Sequence, residues 1–306
     1  MRHFLKSLLL ITGLGILSSC SNVAKKDAAK EKEDTAAVEQ PVVQRVDDVK
    51  SALSSATGNF DIIATLDHHR MAKDEGVYTP PAIAMIFSDN QINTGILSKA
   101  TPLVGLDLPF KVLAYTESDT AKVSVAYTSG DFIAKRHGLN IAEFRDFNRA
   151  LDEVLKAVDS DMISPTSLDS VQKGFGIVSI TSDYDYTTTV QKLRDIVMAQ
   201  SDTKWFGEID YQAAAAEAGV AINPNILLLF GGPAPGGKAM MTSPKIGLDA
   251  FCQKLLVYQD GEGKVQVAFN DIVAFARLYY GSNTKPQLMI NQRLTATFSK
   301  AIKKAN

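Results

Sequence analysis

The reactive side chains of this 306-residue chain are few: four histidines, two cysteines and one glycine-rich turn hold most of them. His68 and His69 are neighbours, and a strand would send them to opposite faces, so they cannot chelate one ion together. His68 and His137 flank the same expected sheet in sequence order and make the better pair. Imidazoles so placed can bond the backbone and hold the fold, bind an anion or carboxylate, or do acid–base work. Without a cysteine or a second carboxylate motif beside them they make a poor zinc site, so no metal and no cofactor are expected. Phe230-Gly231-Gly232-Pro233-Ala234-Pro235-Gly236-Gly237-Lys238 invites a phosphate-loop reading. It fails, because Ala239 follows the lysine and prolines have no amide hydrogen to give a phosphate; a strand-to-helix turn is expected instead. Ser88, Ser129 and Ser243 lack a glycine elbow, which leaves a serine hydrolase without support. Cys252, set between Phe251 and Leu255-Leu256-Val257, reads as a buried, inert thiol.

The elements that would position these groups are written twice. Pro81 to Phe87, Gly105-Leu106-Asp107 and a strand ending at Tyr115 return as Pro224 to Phe230, Gly247-Leu248-Asp249 and a strand ending at Tyr258, with both strands 143 positions on. In the first unit, Val46, Val49, Leu53 and Ala56 recur at helical spacing, and Phe60 to Leu66 reads as a strand. Ile83 to Phe87 is apolar throughout, as a strand covered on both faces requires. Helix is expected over 69–75 and 93–104, strand over 111–115 and 122–127, and a helix carries the stripe Phe144, Phe147, Leu151, Val154. The second unit repeats the order, with strands over 174–181, 205–209, 226–230, 255–258 and 264–269 and helix over 238–241. An opening strand is clear only there; in the first unit it is reduced to Pro41 to Gln44. Each unit is thus expected to be an antiparallel sheet with helices on one face, in the α+β class, spanning 45–160 and 170–304. The two would pair as a pseudo-dimer within a monomer. Tyr184, Tyr186 and Tyr279-Tyr280 are expected to face a sheet or the junction between units.

Residues 1–19 read as a leader: Arg2, His3 and Lys6 precede an apolar run from Leu8 to Leu17, too short to span a bilayer. It ends in Leu17-Ser18-Ser19-Cys20, which resembles the lipobox of bacterial lipoproteins. The resemblance implies cleavage before Cys20 and lipid on that residue, and Ser21 after it favours the outer membrane. Residues 20–44 are rich in Ala, Lys and Glu and read as a flexible tether. With 32 basic against 34 acidic side chains and no basic block in the globular part, nucleic-acid binding is set aside. The membrane is met through the lipid alone.

Asp67-His68, Ala72, Gly76, Pro81, Phe87, Leu106-Asp107-Leu108-Pro109-Phe110-Lys111 and Arg136-His137-Gly138-Leu139 resemble the pattern of domain-of-unknown-function family 302. The resemblance implies a TBP-like α+β fold in each unit and a tendency to pair, and brings no established activity. The second unit departs from the pattern, with Tyr211 for the first histidine, Tyr279-Tyr280-Gly281 for the arginine–histidine pair and Ala250 to Lys254 for the leucine–proline segment. A polar site therefore belongs to the first unit or to the junction. The family pattern places Asp107 and Arg136 with His68 and His137, and the four together are the candidate ligand-binding residues for an anion or carboxylate.

Three functions stand open. The leading one is a noncatalytic module, lipid-anchored and facing the periplasm, that binds a small polar ligand or an envelope protein. The second is an enzyme of unrecognised class using His68 and His137. The third is a structural envelope protein.

Overall fold

The 143-residue echo becomes a repeat of elements. Helix α1 (Val42–Ala56) leads into β1 (Asp61–Asp67), α2 (His68–Asp74), β2 (Ala82–Ser88), α3 (Asn90–Leu97), β3 (Phe110–Tyr115), β4 (Ser124–Tyr127), α4 (Gly130–His137) and α5 (Arg145–Leu155). Two strands follow, β5 (Ile163–Pro165) and β6 (Ile177–Thr181). The order then returns as α6 (Tyr186–Met198), β7 (Lys204–Asp210), α7 (Tyr211–Glu217), β8 (Asn225–Gly231), α8 (Pro233–Met240), β9 (Gln253–Gln259), β10 (Val265–Asn270), α9 (Ile272–Tyr280) and α10 (Lys285–Ile302). This computed structural model describes residues 40–304 other than 250 and 252, and the chain from Gln40 onward forms one compact unit. The leader, Cys20, the tether as far as residue 39, and Cys252 lie outside the described residues.

The strands make two five-stranded sheets, in the orders β1-β2-β3-β4-β5 and β6-β10-β9-β8-β7. All pairings are antiparallel except β4 with β5. The class is α+β, built in tandem. Even the irregularities repeat: β1 slips register between Ile62 and Ala64, and β7 between Trp205 and Gly207. One expectation is corrected. Pro41 to Gln44 is not a strand, because α1 begins at Val42; the edge beside β4 is taken by β5, from the segment joining the halves, running parallel. The place one repeat before β6, at 34–38, lies outside the described residues.

Local chemistry explains where other boundaries moved. The Asp67 carboxylate accepts from the Arg70 amide at 2.8 Å, so helix α2 opens at His68, one residue before the expected start at 69. Asp89 caps α3 in the same way at the Gln91 and Ile92 amides. That helix stops at Leu97, and a separate 3-10 turn, Pro102–Leu106, follows. Helix α8 begins at Pro233 rather than near Lys238, since a proline at the first helical position gives up only an amide with no partner there.

Helices α1 and α5 pack together over one face of the first sheet, and α6 with α10 over the second. Val46, Leu53, Phe147 and Leu151 fill the first layer; Val190, Leu193, Leu294 and Phe298 fill the other. Burying each such side chain contributes roughly 1.5–3 kcal/mol. Strands β2 and β8 are buried along their whole length, so their opposite faces must also be covered. The two halves do this for each other. The 3-10 turn Pro102–Leu106 packs on β8, β9 and β10, while its counterpart Pro244–Leu248 packs on β2, β3 and β4. Each half offers the same patch and receives the same patch, which is the isologous contact of a twofold dimer contained in one chain. Among the described residues, no helix is long and apolar enough to cross a membrane.

Candidate functional site

The seam holds a buried ionic network. Asp107 ends the first half's 3-10 turn, and Arg136 with His137 closes α4, whose cap Gly138 takes the left-handed φ of +66°. Arg136 Nη1 donates to Asp107 Oδ1 and Oδ2 at 2.7 and 2.8 Å, and His137 Nε2 lies 2.7 Å from Oδ2. The remaining donors of Arg136 are taken too: Nε by the Phe175 carbonyl at 2.7 Å, Nη2 by the Gly176 carbonyl at 2.9 Å and Asn270 Oδ1 at 2.8 Å. Its guanidinium also stands 5.0 Å from the centroid of the Phe275 ring. A guanidinium has five N–H groups, and every one is spent inside the protein.

The second half supplies the matching carboxylate, Asp249. Lys111 on β3 bonds Asp249 Oδ1 across the seam, the Tyr279 hydroxyl donates to Oδ2, and Thr128 Oγ1 donates to Oδ1 at 3.4 Å. Lys254 on β9 reaches the other way, donating to the Leu106 carbonyl at 2.7 Å and standing 4.0 Å from Asp107. Asn270 ties the two clusters together, accepting from Arg136 and donating to the Asp249 carbonyl at 2.7 Å.

These groups are held in charge states that water would not enforce. Burial alone would raise the Asp107 carboxyl, but the Arg136 guanidinium, the His137 bond and Lys254 hold it well below the usual range. Asp249 is likewise lowered against its burial, by Lys111 and Lys254 and by the Lys111 and Tyr279 bonds. Burial and the Lys111 charge push Lys254 well down, and burial with the Asp249 charge pushes the Tyr279 hydroxyl well up.

The structure brings three of the four expected site residues together and leaves one apart. Asp107, Arg136 and His137 are in contact, at 0 %, 0 % and 4 % exposure, and bond one another rather than facing an open pocket. Among the described residues, no hydrogen bond joins His68 to them. His68 crosses to the other half and packs on the backbone of Gly247, as Tyr211 of the second half crosses back to donate to the Gly105 carbonyl at 3.1 Å. His68 lines a hollow of about 20 Å³ with Met71, Phe206 and Phe251. Burial lowers its pKa to about 4, outweighing the opposing pull of the Asp67 carboxylate and the Gly247 backbone. Its Nε2 is buried without a partner, as is His137 Nδ1.

The sequence reading missed Lys111, Lys254, Asp249, Asn270 and Tyr279 as members of this network. A signal existed for the lysines. Each sits inside an otherwise apolar strand, Phe110-Lys111-Val112-Leu113 and Lys254-Leu255-Leu256-Val257, at equivalent places in the repeat.

What fold and site define is a tandem α+β protein whose halves are fastened by a buried, mutually satisfied ionic network. The family model described as "Domain of unknown function DUF302" matches twice, over residues 35–158 and 178–305, and the chain belongs to that family. A crystal structure titled as an uncharacterised conserved DUF302 protein from Bacillus stearothermophilus matches 42 % of this chain and 98 % of its own, at 15 % identity and a TM-score of 0.35. Curated relatives include the fluoride-specific ion channel FluC 1 of Brucella suis biovar 1 (strain 1330), 31 % identical over 96 residues that make up 31 % of this chain and 37 % of the channel. The same-named channel of Brucella abortus biovar 1 (strain 9-941) matches at 31 % over 96 residues and 35 % of its length. The chain spans little more than a third of the curated relatives it matches.

Proposed function

We propose that the protein is a noncatalytic binding module, anchored by lipid on Cys20 to the outer membrane and facing the periplasm. In this reading Asp107, Arg136 and His137 fasten the two halves rather than receive a ligand. The observation that carries it is the complete internal use of Arg136: a guanidinium with no N–H left cannot capture a carboxylate or phosphate. The same closure argues against an enzyme built on His68 and His137, since a general base must reach a substrate proton and His137 is turned onto Asp107. Binding then falls to surfaces and hollows beside the seam, with a small ligand or an envelope protein as the partner.

The anchor is tested by feeding cells an alkyne-tagged palmitate and comparing the full chain with Cys20→Ser. Label and sedimentation with outer-membrane vesicles are expected for the parent chain and loss of both for the variant. An unlabelled parent chain overturns the lipoprotein.

A further inference from the structure

A hollow of about 400 Å³, the size of a small-molecule site, is lined by His69 and Lys73 of α2 and by Gly76, Val77 and Tyr78 of the loop after it. Its frame is repeated in the other half. Gly76 and Gly219 take the same left-handed φ, +71° and +73°, and the amides of Val77 and Val220 donate at 2.9 Å to the carbonyls of Ala72 and Ala215. The chemistry is not repeated. One repeat on, His69 becomes Gln212, Lys73 becomes Ala216 and Tyr78 becomes Ala221, so the imidazole, the ammonium and the aromatic ring are lost together.

The other half also shows which part of this chemistry the fold requires. His69 Nδ1 lies 2.6 Å from the Thr79 carbonyl oxygen, and Gln212 Nε2 donates at 3.4 Å to the carbonyl of Ile222, which is Thr79 one repeat on. A carbonyl can only accept, so Nδ1 carries the hydrogen, and the fold needs no more than a donor at this place. The second ring nitrogen, Nε2, is left over, and in a neutral imidazole it offers a lone pair. Among the described residues, neither this nitrogen nor the Lys73 ammonium makes a hydrogen bond or an ion pair. The Tyr78 hydroxyl is spent on Asp119 at 2.6 Å, which steadies a ring that stays 47 % exposed. That ring meets the His69 ring edge to face, with centroids 6.2 Å apart and planes at 90°.

We propose that this hollow binds a small aromatic carboxylate that carries a hydroxyl. Residues four apart on a helix have Cβ atoms about 5–6 Å apart, so His69 and Lys73 stand as neighbours along one wall and a single ring can bridge them. The carboxylate takes the unpaired ammonium of Lys73, the hydroxyl donates to His69 Nε2, and the ring lies against the exposed ring of Tyr78. The charges nearby limit the ligand to one negative charge. Asp119 stands at the Tyr78 hydroxyl, and Asp74 and Glu75 follow Lys73 in the chain, Glu75 with Lys204 at 3.6 Å. A dianion such as phosphate would bring more charge than Lys73 matches and would be repelled by these carboxylates. The inference rests on the binding-module reading and names its ligand class and its place.

The test uses 4-hydroxybenzoate as the probe, followed by saturation-transfer NMR on the purified, detergent-solubilised full chain, with benzoate alongside. The variants Lys73→Ala, Tyr78→Ala and His69→Gln each install the residue that the other half already carries on the same frame, which keeps the fold. Saturable binding to the parent chain is expected. Lys73→Ala is expected to weaken it by about 10-fold or more, the loss of a charged hydrogen bond, and Tyr78→Ala by about fivefold. His69→Gln is expected to weaken 4-hydroxybenzoate by about fivefold and to leave benzoate, which has no hydroxyl, unchanged. Inorganic phosphate is expected not to displace the probe. No saturable binding by the parent chain would overturn the inference, as would undiminished binding by Lys73→Ala or by Tyr78→Ala, or displacement by phosphate. An equal loss of both ligands in His69→Gln would overturn the part given to His69. Each failure leaves the palmitate result untouched, so loss of this ligand and loss of the anchored module are told apart.

Discussion

The carboxyl ends of α4 and α9 hold the same place in the repeat, yet one carries Arg136-His137 and the other Tyr279-Tyr280. Each end serves a buried aspartate of its own half. Arg136 and His137 saturate Asp107 with charge and hydrogen bonds, whereas Tyr279 brings Asp249 a hydroxyl and no charge. The lysines, which the halves share, respond to that difference. Lys111 bonds Asp249 across the seam, while its equivalent Lys254 stops 4.0 Å short of Asp107 and takes the Leu106 carbonyl. Each buried carboxylate thus ends with one close full cation: Arg136 from its own half, or Lys111 from across the seam. A symmetric frame thus serves its two carboxylates by unsymmetric means, because a buried carboxylate left without its cation would cost more than the loss of symmetry.

That account is broken most directly by removing the charge on one side and only the hydroxyl on the other. Arg136→Met leaves Asp107 buried without its cation and is expected to cost about 3–5 kcal/mol of unfolding free energy. Tyr279→Phe removes one hydrogen bond to a carboxylate that keeps Lys111, for a loss of roughly 1.5–3 kcal/mol. Urea denaturation of the two variants measures both. Equal losses would mean that the two clusters are interchangeable and that the arginine is not the cation that matters.

His68 and Tyr211 sharpen the comparison through pH. The folded pKa of His68 is about 4, below its ordinary 6.5, so the unfolded chain binds a proton that the folded one refuses. Stability from this group is complete above pH 6.5 and is lost as pH falls from 6.5 toward 4. At 1.36 kcal/mol per pKa unit the loss comes to about 3 kcal/mol. Tyr211 does not titrate in that window. Asp107 and Asp249 have pKa values lowered from 3.8, so the stability they contribute is lost only as pH falls further. Denaturation at pH 7.5 and pH 4 is expected to show the drop in the parent chain and a flatter profile in His68→Tyr. A parallel drop in both would assign the acid sensitivity to other groups.

The fold was legible because it rests on patterns that need no knowledge of docking. Ile83 to Phe87 and Ile226 to Phe230 are apolar on both faces, and the 143-residue echo tells the reader to look for the same element twice. Asp107, Arg136 and His137 were legible through the resemblance to a family pattern. Their purpose was not, since a guanidinium in a pocket and one in a locked seam have the same sequence. The network's other half escaped for a similar reason: Lys111 meets Asp249 across 138 residues of chain, and only the packing of one half on the other brings them together. His68 was grouped with the other three through the family pattern, and only the packing of one half on the other shows that it crosses to Gly247 instead. The edge strand β5 was unreadable, being three residues long and paired parallel with a strand far earlier in the chain.

The smallest of these differences lies where α2 crosses α8 and where α7 meets α3. Gly237 faces Ala72 so closely that a Cβ on the glycine would lie 2.5 Å from the alanine Cβ, well inside contact distance. Its equivalent in the first half is Thr94, a larger residue that α7 accommodates at 5 % exposure. The second half's glycine is therefore required by helix approach and not by the repeat. Replacing glycine by alanine within a helix would by itself stabilise by up to about 1 kcal/mol. Overpacking against Ala72 costs about 1–3 kcal/mol, so Gly237→Ala is expected to lose about 1 kcal/mol net, read as a lower urea midpoint at unchanged slope. Thr94→Ala, at the roomier crossing, creates no clash and is expected to change stability by less. A more stable Gly237→Ala would show that α2 and α8 can part at no cost, and the close approach that shapes the hollow at His68 would lose its support.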